Sequence, residues 1–217
     1  MSDYKAVLFD LDGTLLDTIE DLTDSMNVAL AACGFGQRSV AECKHFVGDG
    51  VLNFVLRALP KDARKKETLE KMVETYRKDY GERWAVKTRA YDGVAEMLDG
   101  LAAKGFKLAV LSNKPDEFTR LMVAKMLGGW KFDSVCGERK GIPKKPDPMA
   151  AVSIARTLAT PVEQFLYLGD TDTDMQTAVC AGMYPVGALW GFRTADELLA
   201  NGAQKLIERP QELLKLV

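Results

Sequence analysis

Ala6-Val7-Leu8-Phe9-Asp10-Leu11-Asp12-Gly13-Thr14 runs four apolar residues directly into two carboxylates and a glycine. A short run that is apolar at every position reads as a strand covered on both faces, because a half-exposed strand alternates. Leu108-Ala109-Val110-Leu111 and Phe165-Leu166-Tyr167-Leu168 read the same way, and Ser134 to Cys136 and Pro185 to Ala188 are shorter candidates. Helical patterns separate them, such as Val94, Met97, Leu98 and Leu101 with Gly105 beyond. Thr194 stands three residues before Glu197, a capping-box spacing that predicts a short helix ending at Asn201-Gly202. This alternation predicts an α/β fold, a Rossmann-like parallel sheet with helices on both faces.

Between residues 17 and 87 the alternation stops and helical spacing takes over. Ile19, Leu22, Met26, Ala29, Leu30 and Cys33 form one stripe with Gly34 as its stop, and Leu69, Met72, Val73, Tyr76 and Tyr80 form another. Both stripes are expected to be core. The densely charged stretch from Lys61 to Lys71 is expected to be a solvated helix face. The organisation expected is a core domain of residues 1–16 and 88–217 interrupted by a helical cap domain of residues 17–87.

Composition limits the partners. Of 217 residues, 47% are hydrophobic, enough for a sizeable core. Lys and Arg total 29 against 31 Asp and Glu, so the basic excess that neutralises nucleic-acid phosphates is missing and no nucleic-acid partner is expected. Cys33, Cys43, Cys136 and Cys180 show no CxxC spacing, which suits free thiols in a reducing cytoplasm. No apolar run approaches the roughly 20 residues of a membrane span, and no membrane partner is expected. A cytoplasmic monomer or homodimer is the expectation.

The chemistry gathers at strand ends, where open parallel sheets bind ligands. A spacing of two keeps Asp10 and Asp12 on one side of the chain, and Gly13 permits a tight turn at which backbone amides approach an anion. Gly169-Asp170-Thr171-Asp172-Thr173-Asp174 follows another apolar run, bringing more carboxylates to the same edge. Several oxygen donors with water and phosphate suit octahedral Mg2+. Ser112 and Asn113 close a third strand with a hydroxyl and an amide, and Lys145, next to Pro146, supplies a cation for phosphoryl charge.

These residues resemble the haloacid dehalogenase superfamily of phosphohydrolases over nearly the whole chain. The four family motifs occur in order: Asp10 to Thr14, Ser112, Lys145, and Gly169 to Asp174. The segments Phe46 to Val51, Tyr91 to Val94 and Leu189 to Phe192 resemble the phosphoglycolate phosphatase branch. The resemblance implies Asp10 as a nucleophile forming an aspartyl phosphate, and Asp12 as general acid and then base. It further implies a metal site from the Asp10 side chain, the Asp12 backbone carbonyl and Asp170. Asp174 would position Lys145 or touch a metal-bound water. Gly13, Thr14, Ser112, Asn113 and Lys145 would hold a small phosphorylated metabolite, phosphoglycolate first among candidates. A pyrophosphatase or sugar-phosphate mutase would share the first step, while a haloacid dehalogenase or a non-catalytic binding protein are readings of a different class.

Some positions have plainer readings. The loop Gly48-Asp49-Gly50 serves either as a turn leading into a helix or as part of the substrate side of the cap. His45, the sole histidine, reads as a cap-surface or cap-packing residue, and Asp172 as solvent-facing. Trp190 and Phe192 are expected to pack between strand and helix.

Overall fold

The computed structural model describes residues 4–217. The chain divides into two compact units, one of residues up to Leu16 together with Ala90–Val217, the other Asp17–Arg89.

In the first unit, β1 (Ala6–Phe9) is fully buried at every position. After the insert come β3 (Arg89–Ala90), α5 (Val94–Ala103), β4 (Lys107–Pro115), α6 (Asp116–Met126) and β5 (Ser134–Glu138). They are followed by α7 (Met149–Thr157), β6 (Phe165–Gly169), α8 (Asp172–Ala181), β7 (Tyr184–Ala188), α9 (Ala195–Ala200) and β8 (Lys205–Ile207). The six-stranded sheet has the order β5-β4-β1-β6-β7-β8, with parallel pairing throughout. One sheet face presents Ala6, Leu8, Ala109, Leu111, Phe165 and Tyr167 to Ala151, Ile154 and Ala155 of α7 and Ala178 and Ala181 of α8. These residues recur every second position along their strands, as the pleat requires. The Thr194–Glu197 capping box opens α9 as the spacing predicts.

Register matters for the site. Phe9 lies level with Val110 on one side and Leu168 on the other, so the residues that follow all three strands emerge at one sheet edge. Chain order runs outward from β1 to β4 and β5, then resumes with β6 on the opposite side, and the reversal at β1 opens the crevice used for ligands in such sheets. Two elements differ from expectation. β4 continues past Leu111 to Pro115, with an irregular register against β5, because polar side chains end the apolar run without ending the extended backbone. β8 was invisible to periodicity, being three residues at the sheet's rim.

The second unit holds α1 (Ile19–Ala32), α2 (Val40–Phe46), α3 (Val51–Ala58) and α4 (Lys66–Arg83), with β2 (Leu16–Asp17) where the chain leaves the core. Ile19, Leu22, Met26, Ala29 and Leu30 are buried along α1, as are Met72, Tyr76 and Tyr80 along α4, whereas Leu69 and Val73 stay partly open beside Leu52 in a surface groove. Residues Lys61–Ala63 form a 3-10 turn separate from α4, so the charged stretch is two short pieces rather than one helix face. The return crossing lies at Arg89, two residues beyond the expected 87. Asp21 explains the shift: its buried carboxylate accepts from the backbone N–H of Lys87 and Thr88 at 2.9 and 2.8 Å and from the Thr88 hydroxyl at 2.8 Å, tying both residues to α1.

Among the described residues no helix is long and apolar enough to cross a membrane, and all four cysteines are free. Removing the Asp21 carboxylate strands buried donors, whose loss from a charged acceptor costs about 2–3 kcal/mol. Asp21→Ala is therefore expected to lower the urea midpoint by an amount equivalent to about that figure, with Asp21→Asn losing less.

Candidate active site

Asp10 directly follows β1, its N–H donating to the Leu168 carbonyl of β6 at 3.0 Å and its side chain buried. Lys145 arrives from the loop ahead of α7. Its Nζ donates to Asp10 Oδ1 at 2.7 Å, to Asp174 Oδ1 at 2.6 Å and to the Leu111 carbonyl at 3.0 Å, which accounts for all three ammonium protons. Asn113 fixes the backbone of Lys145: its Oδ1 accepts the Lys145 N–H at 2.9 Å and its Nδ2 donates to the Lys145 carbonyl at 3.1 Å. The carboxamide expected to hold phosphoryl oxygens is thus committed to the lysine loop, because one amide matches both groups of one residue. The Lys145–Pro146 peptide is cis. Lys144 turns instead to Glu138 at 3.3 Å, leaving Lys145 as the lysine of the site.

Asp170 follows β6 and is completely buried. Its Oδ1 accepts from the Thr14 hydroxyl at 2.7 Å and its Oδ2 from the Phe192 N–H at 2.9 Å. Thr14 was expected on the substrate; its hydroxyl serves a carboxylate. A Cβ on Gly13, at φ +90°, would lie 2.3 Å from Asp170 Oδ2, and a Cβ on Gly191 would lie 2.3 Å from Asp170 Cβ, so both positions need glycine for the carboxylate to fit. Asp174 performs two tasks. Its Oδ2 closes a capping box with Thr171, accepting from the hydroxyl at 2.6 Å and the N–H at 3.1 Å, while its Oδ1 faces Lys145 and the Tyr167 hydroxyl at 3.3 Å. One oxygen thus serves the helix cap and the other faces the lysine. Asp172 is partly open and lies 3.5 Å from Arg193.

One oxygen from each of Asp10, Asp170 and Asp174 falls within 4.8 Å of the others, all three residues buried. Among the described residues Lys145 is the cation ion-paired with this cluster, and several close carboxylates in a dry site repel one another. Burial and the Asp174 charge push Asp10 up to about 7, against the pull of Lys145. Burial, then the Asp10 and Asp174 charges, hold Asp170 well above the ordinary carboxylate range despite Thr14 and Phe192. For Lys145 burial favours proton loss, but Asp10 and Asp174 outweigh it and keep the ammonium well above its usual value. A pocket of hard oxygen donors with uncompensated negative charge fits a divalent cation.

Asp12 stands apart from this cluster. Its carboxylate is gripped by Lys114 Nζ at 2.9 and 3.1 Å, and the lysine side chain is only 6% exposed against 18% for the aspartate. Ser112 lies at the same edge, its Oγ accepting from the Lys114 N–H at 3.2 Å and so retaining a hydroxyl proton to donate. Lys114, Tyr167 and the Phe192 N–H were not singled out from sequence, since each acts through a partner distant in the chain. Trp190 is partly exposed rather than packed between strand and helix: its indole N–H donates to the Thr14 carbonyl at 3.0 Å and its ring meets Tyr91 edge-on. In the insert, Gly50 caps α3, Asp49 pairs with Arg57, and His45 is exposed in the last turn of α2. Gly48-Asp49-Gly50 leads into α3, a placement compatible with either reading of this loop.

A sequence model of the haloacid dehalogenase-like hydrolases matches residues 7–188. The phosphoglycolate phosphatase of Aquifex aeolicus is 32% identical over 213 residues, covering 98% of this chain and 96% of that protein. The phosphoglycolate phosphatase of Nitrosospira multiformis is 32% identical over 218 residues, covering 98% and 95%. A crystal structure from Lactobacillus delbrueckii subsp. bulgaricus, of a protein assigned as a phosphoglycolate phosphatase, superposes with a TM-score of 0.90 at 30% identity, covering 98% of this chain and 97% of that one. With a parallel sheet that converges Asp10, Lys145, Asp170 and Asp174 on one edge, the chain belongs to the haloacid dehalogenase-like hydrolase family, on the branch whose curated members are phosphoglycolate phosphatases.

Proposed function

We propose that the protein hydrolyses a small phosphate monoester in a magnesium-dependent reaction, with phosphoglycolate as the lead substrate and Asp10 as the nucleophile. The observation that carries this reading is the separation of two carboxylates two residues apart: Asp10 sits buried against Lys145, and Asp12 sits at a more open position against Lys114.

Each residue's chemistry follows from its place. An Asp10 oxygen attacks phosphorus, forming an acyl phosphate as the ester P–O bond breaks. Asp12 delivers a proton to the departing alkoxide, then takes one from the water that attacks the acyl phosphate and regenerates Asp10. Lys145 and the Ser112 hydroxyl hold the phosphoryl oxygens, with Gly13 and Thr14 contributing the backbone of the turn. Asn113 keeps Lys145 in place from behind. Asp10, the Asp12 carbonyl and Asp170 would hold Mg2+, and Asp174 aligns Lys145 beside it. The ion, when bound, supplies the positive charge that screens nucleophile from phosphate. The helical insert selects the leaving group, with Gly48, Asp49 and Gly50 on its substrate side, and it excludes water as lids do.

A panel of phosphorylated metabolites assayed with and without Mg2+ should place phosphoglycolate among the best substrates; a clear preference for pyrophosphate or glucose 1-phosphate would reassign the chemistry. Asp10→Asn keeps the shape and removes the nucleophile, so turnover is expected to fall to background in a folded protein. Persistent activity there would reject the assignment.

Metal binding has its own readout. Asp10 keeps its proton up to about 7 in the fold against 3.8 in an open chain, so the stability linked to that proton is complete below pH 3.8 and is lost as pH rises through about 7. Metal-free protein is expected to melt lower at pH 8 than at pH 6, with Mg2+ restoring more at pH 8. Asp170→Asn should erase most of the metal-dependent gain, and an unchanged melting curve with Mg2+ in the wild type would remove the ion from the site.

A further inference from the structure

Lys114 is a lysine that a surface-charge reading passes over, yet its ammonium is enclosed. Its side chain is 6% exposed, and both oxygens of Asp12 lie within hydrogen-bond reach of Nζ, at 2.9 and 3.1 Å. The backbone beneath it is fixed on both sides. Its N–H donates to Ser112 Oγ at 3.2 Å, and its carbonyl accepts from the Thr119 hydroxyl of α6 at 3.2 Å. A lysine whose main chain is pinned twice and whose stem is buried gives its head group little freedom. The carboxylate it holds therefore has one position.

That position is the useful one. Without a cation of its own, Asp12 would have to be oriented in the field of Asp10, whose proton affinity it raises, and near the rest of the acidic cluster. Lys145 cannot serve both aspartates, because its three protons are already placed on Asp10, Asp174 and the Leu111 carbonyl. Resting on the function proposed above, we infer that Lys114 is the positioning residue for the proton-transferring group, holding the Asp12 carboxylate on the leaving-group side and away from the metal-binding carboxylates. Proton transfer tolerates little misplacement, since an error near 1 Å can cost about 100-fold. The Lys114–Asp12 pair thus couples the end of β4 to the turn after β1.

The test separates this role from a structural one by changing how much the leaving group needs a proton. Lys114→Met retains the stem and deletes the charge. It should lower kcat on phosphoglycolate by about 10- to 100-fold, the lower part of the range for general acid–base catalysis, with KM little changed. Single-turnover release of p-nitrophenolate from p-nitrophenyl phosphate reports only the first step, with a leaving group that departs unprotonated, and should change by less than about threefold. Lys114→Arg should recover part of the phosphoglycolate loss. On steady-state p-nitrophenyl phosphate turnover, where Asp12 must still act as base, Lys114→Met should slow the wild type but add less than about twofold to Asp12→Ala, the non-additivity expected of residues acting as a unit. If Lys114→Met is insoluble, Lys114→Gln carries the same readouts. Equal losses on both esters, or a full additional loss in the Asp12→Ala background, would overturn the inference. Failure of the underlying function looks different: no wild-type phosphatase activity, or activity retained in Asp10→Asn.

Discussion

A buried ammonium surrounded by carboxylates organises this protein. Lys145 Nζ touches Asp10, Asp174 and a β4 carbonyl, so the end of β1, strand β4 and the first turn of α8 meet on one nitrogen. Such a group is costly to enclose unless every proton has an acceptor, and breaking one partner leaves an uncompensated charge. The surroundings read as a consequence. Asn113 clamps the Lys145 backbone, the Thr171 capping box aims Asp174, and Tyr167 adds a donor from the core face of β6. Parallel strands are the natural support, because they deliver the residues after β1, β4 and β6 to a single edge without any long reach.

The electrostatics of the edge are sorted by two lysines rather than one. Lys145 belongs to the dry, acidic cluster, and Lys114 belongs to Asp12. Asp10 and Asp12 are two residues apart, yet Asp10 is enclosed with Asp174 and Lys145, where burial pushes it up to about 7, while Asp12 is more open and paired with Lys114. Pairs of carboxylates placed in contrasting surroundings are how a site assigns different tasks to chemically identical groups. A single cation shared between them would erase that contrast. The third acid, Asp170, accepts from Thr14 and Phe192 and has no lysine ion pair among the described residues, which leaves it the side chain most in need of an added cation.

What could be read from sequence depended on whether the signal was local. β1, β6 and the helices α1 and α5 announce themselves by apolar spacing, and Asp10 and Asp170 by standing where apolar runs stop. The extension of β4 through Ser112-Asn113-Lys114 was hidden, since a buried polar strand end has the composition of a loop. Thr14 and Asn113 were read toward a substrate, and the structure gives their side chains partners within the protein. Their hydrogen bonds reach Asp170 and Lys145, 156 and 32 residues away, and no periodicity encodes such pairings. Trp190 misled in the opposite sense: its bulk suggested core, whereas the indole N–H is satisfied by the turn that carries Thr14.

The insert imposes the remaining constraint. It leaves the core immediately after Leu16, only four residues beyond Asp12, so the loop carrying Asp12 also bears one end of the helical unit. That loop is accordingly stiff. The N–H groups of Leu15 and Leu16 both donate to the Leu11 carbonyl, at 3.0 and 2.9 Å, Gly13 donates to Leu16 at 2.9 Å, and Tyr91 donates to Leu15 at 3.2 Å as the chain returns. On the far side of the crossings, Asp21 ties Lys87 and Thr88 to the first turn of α1, so both connections are anchored within their own units. The short stretches between these anchors, around Asp17 and Arg89, carry both crossings, and the turn after β1 is held in register with its strand by bonds that lie wholly within its own unit.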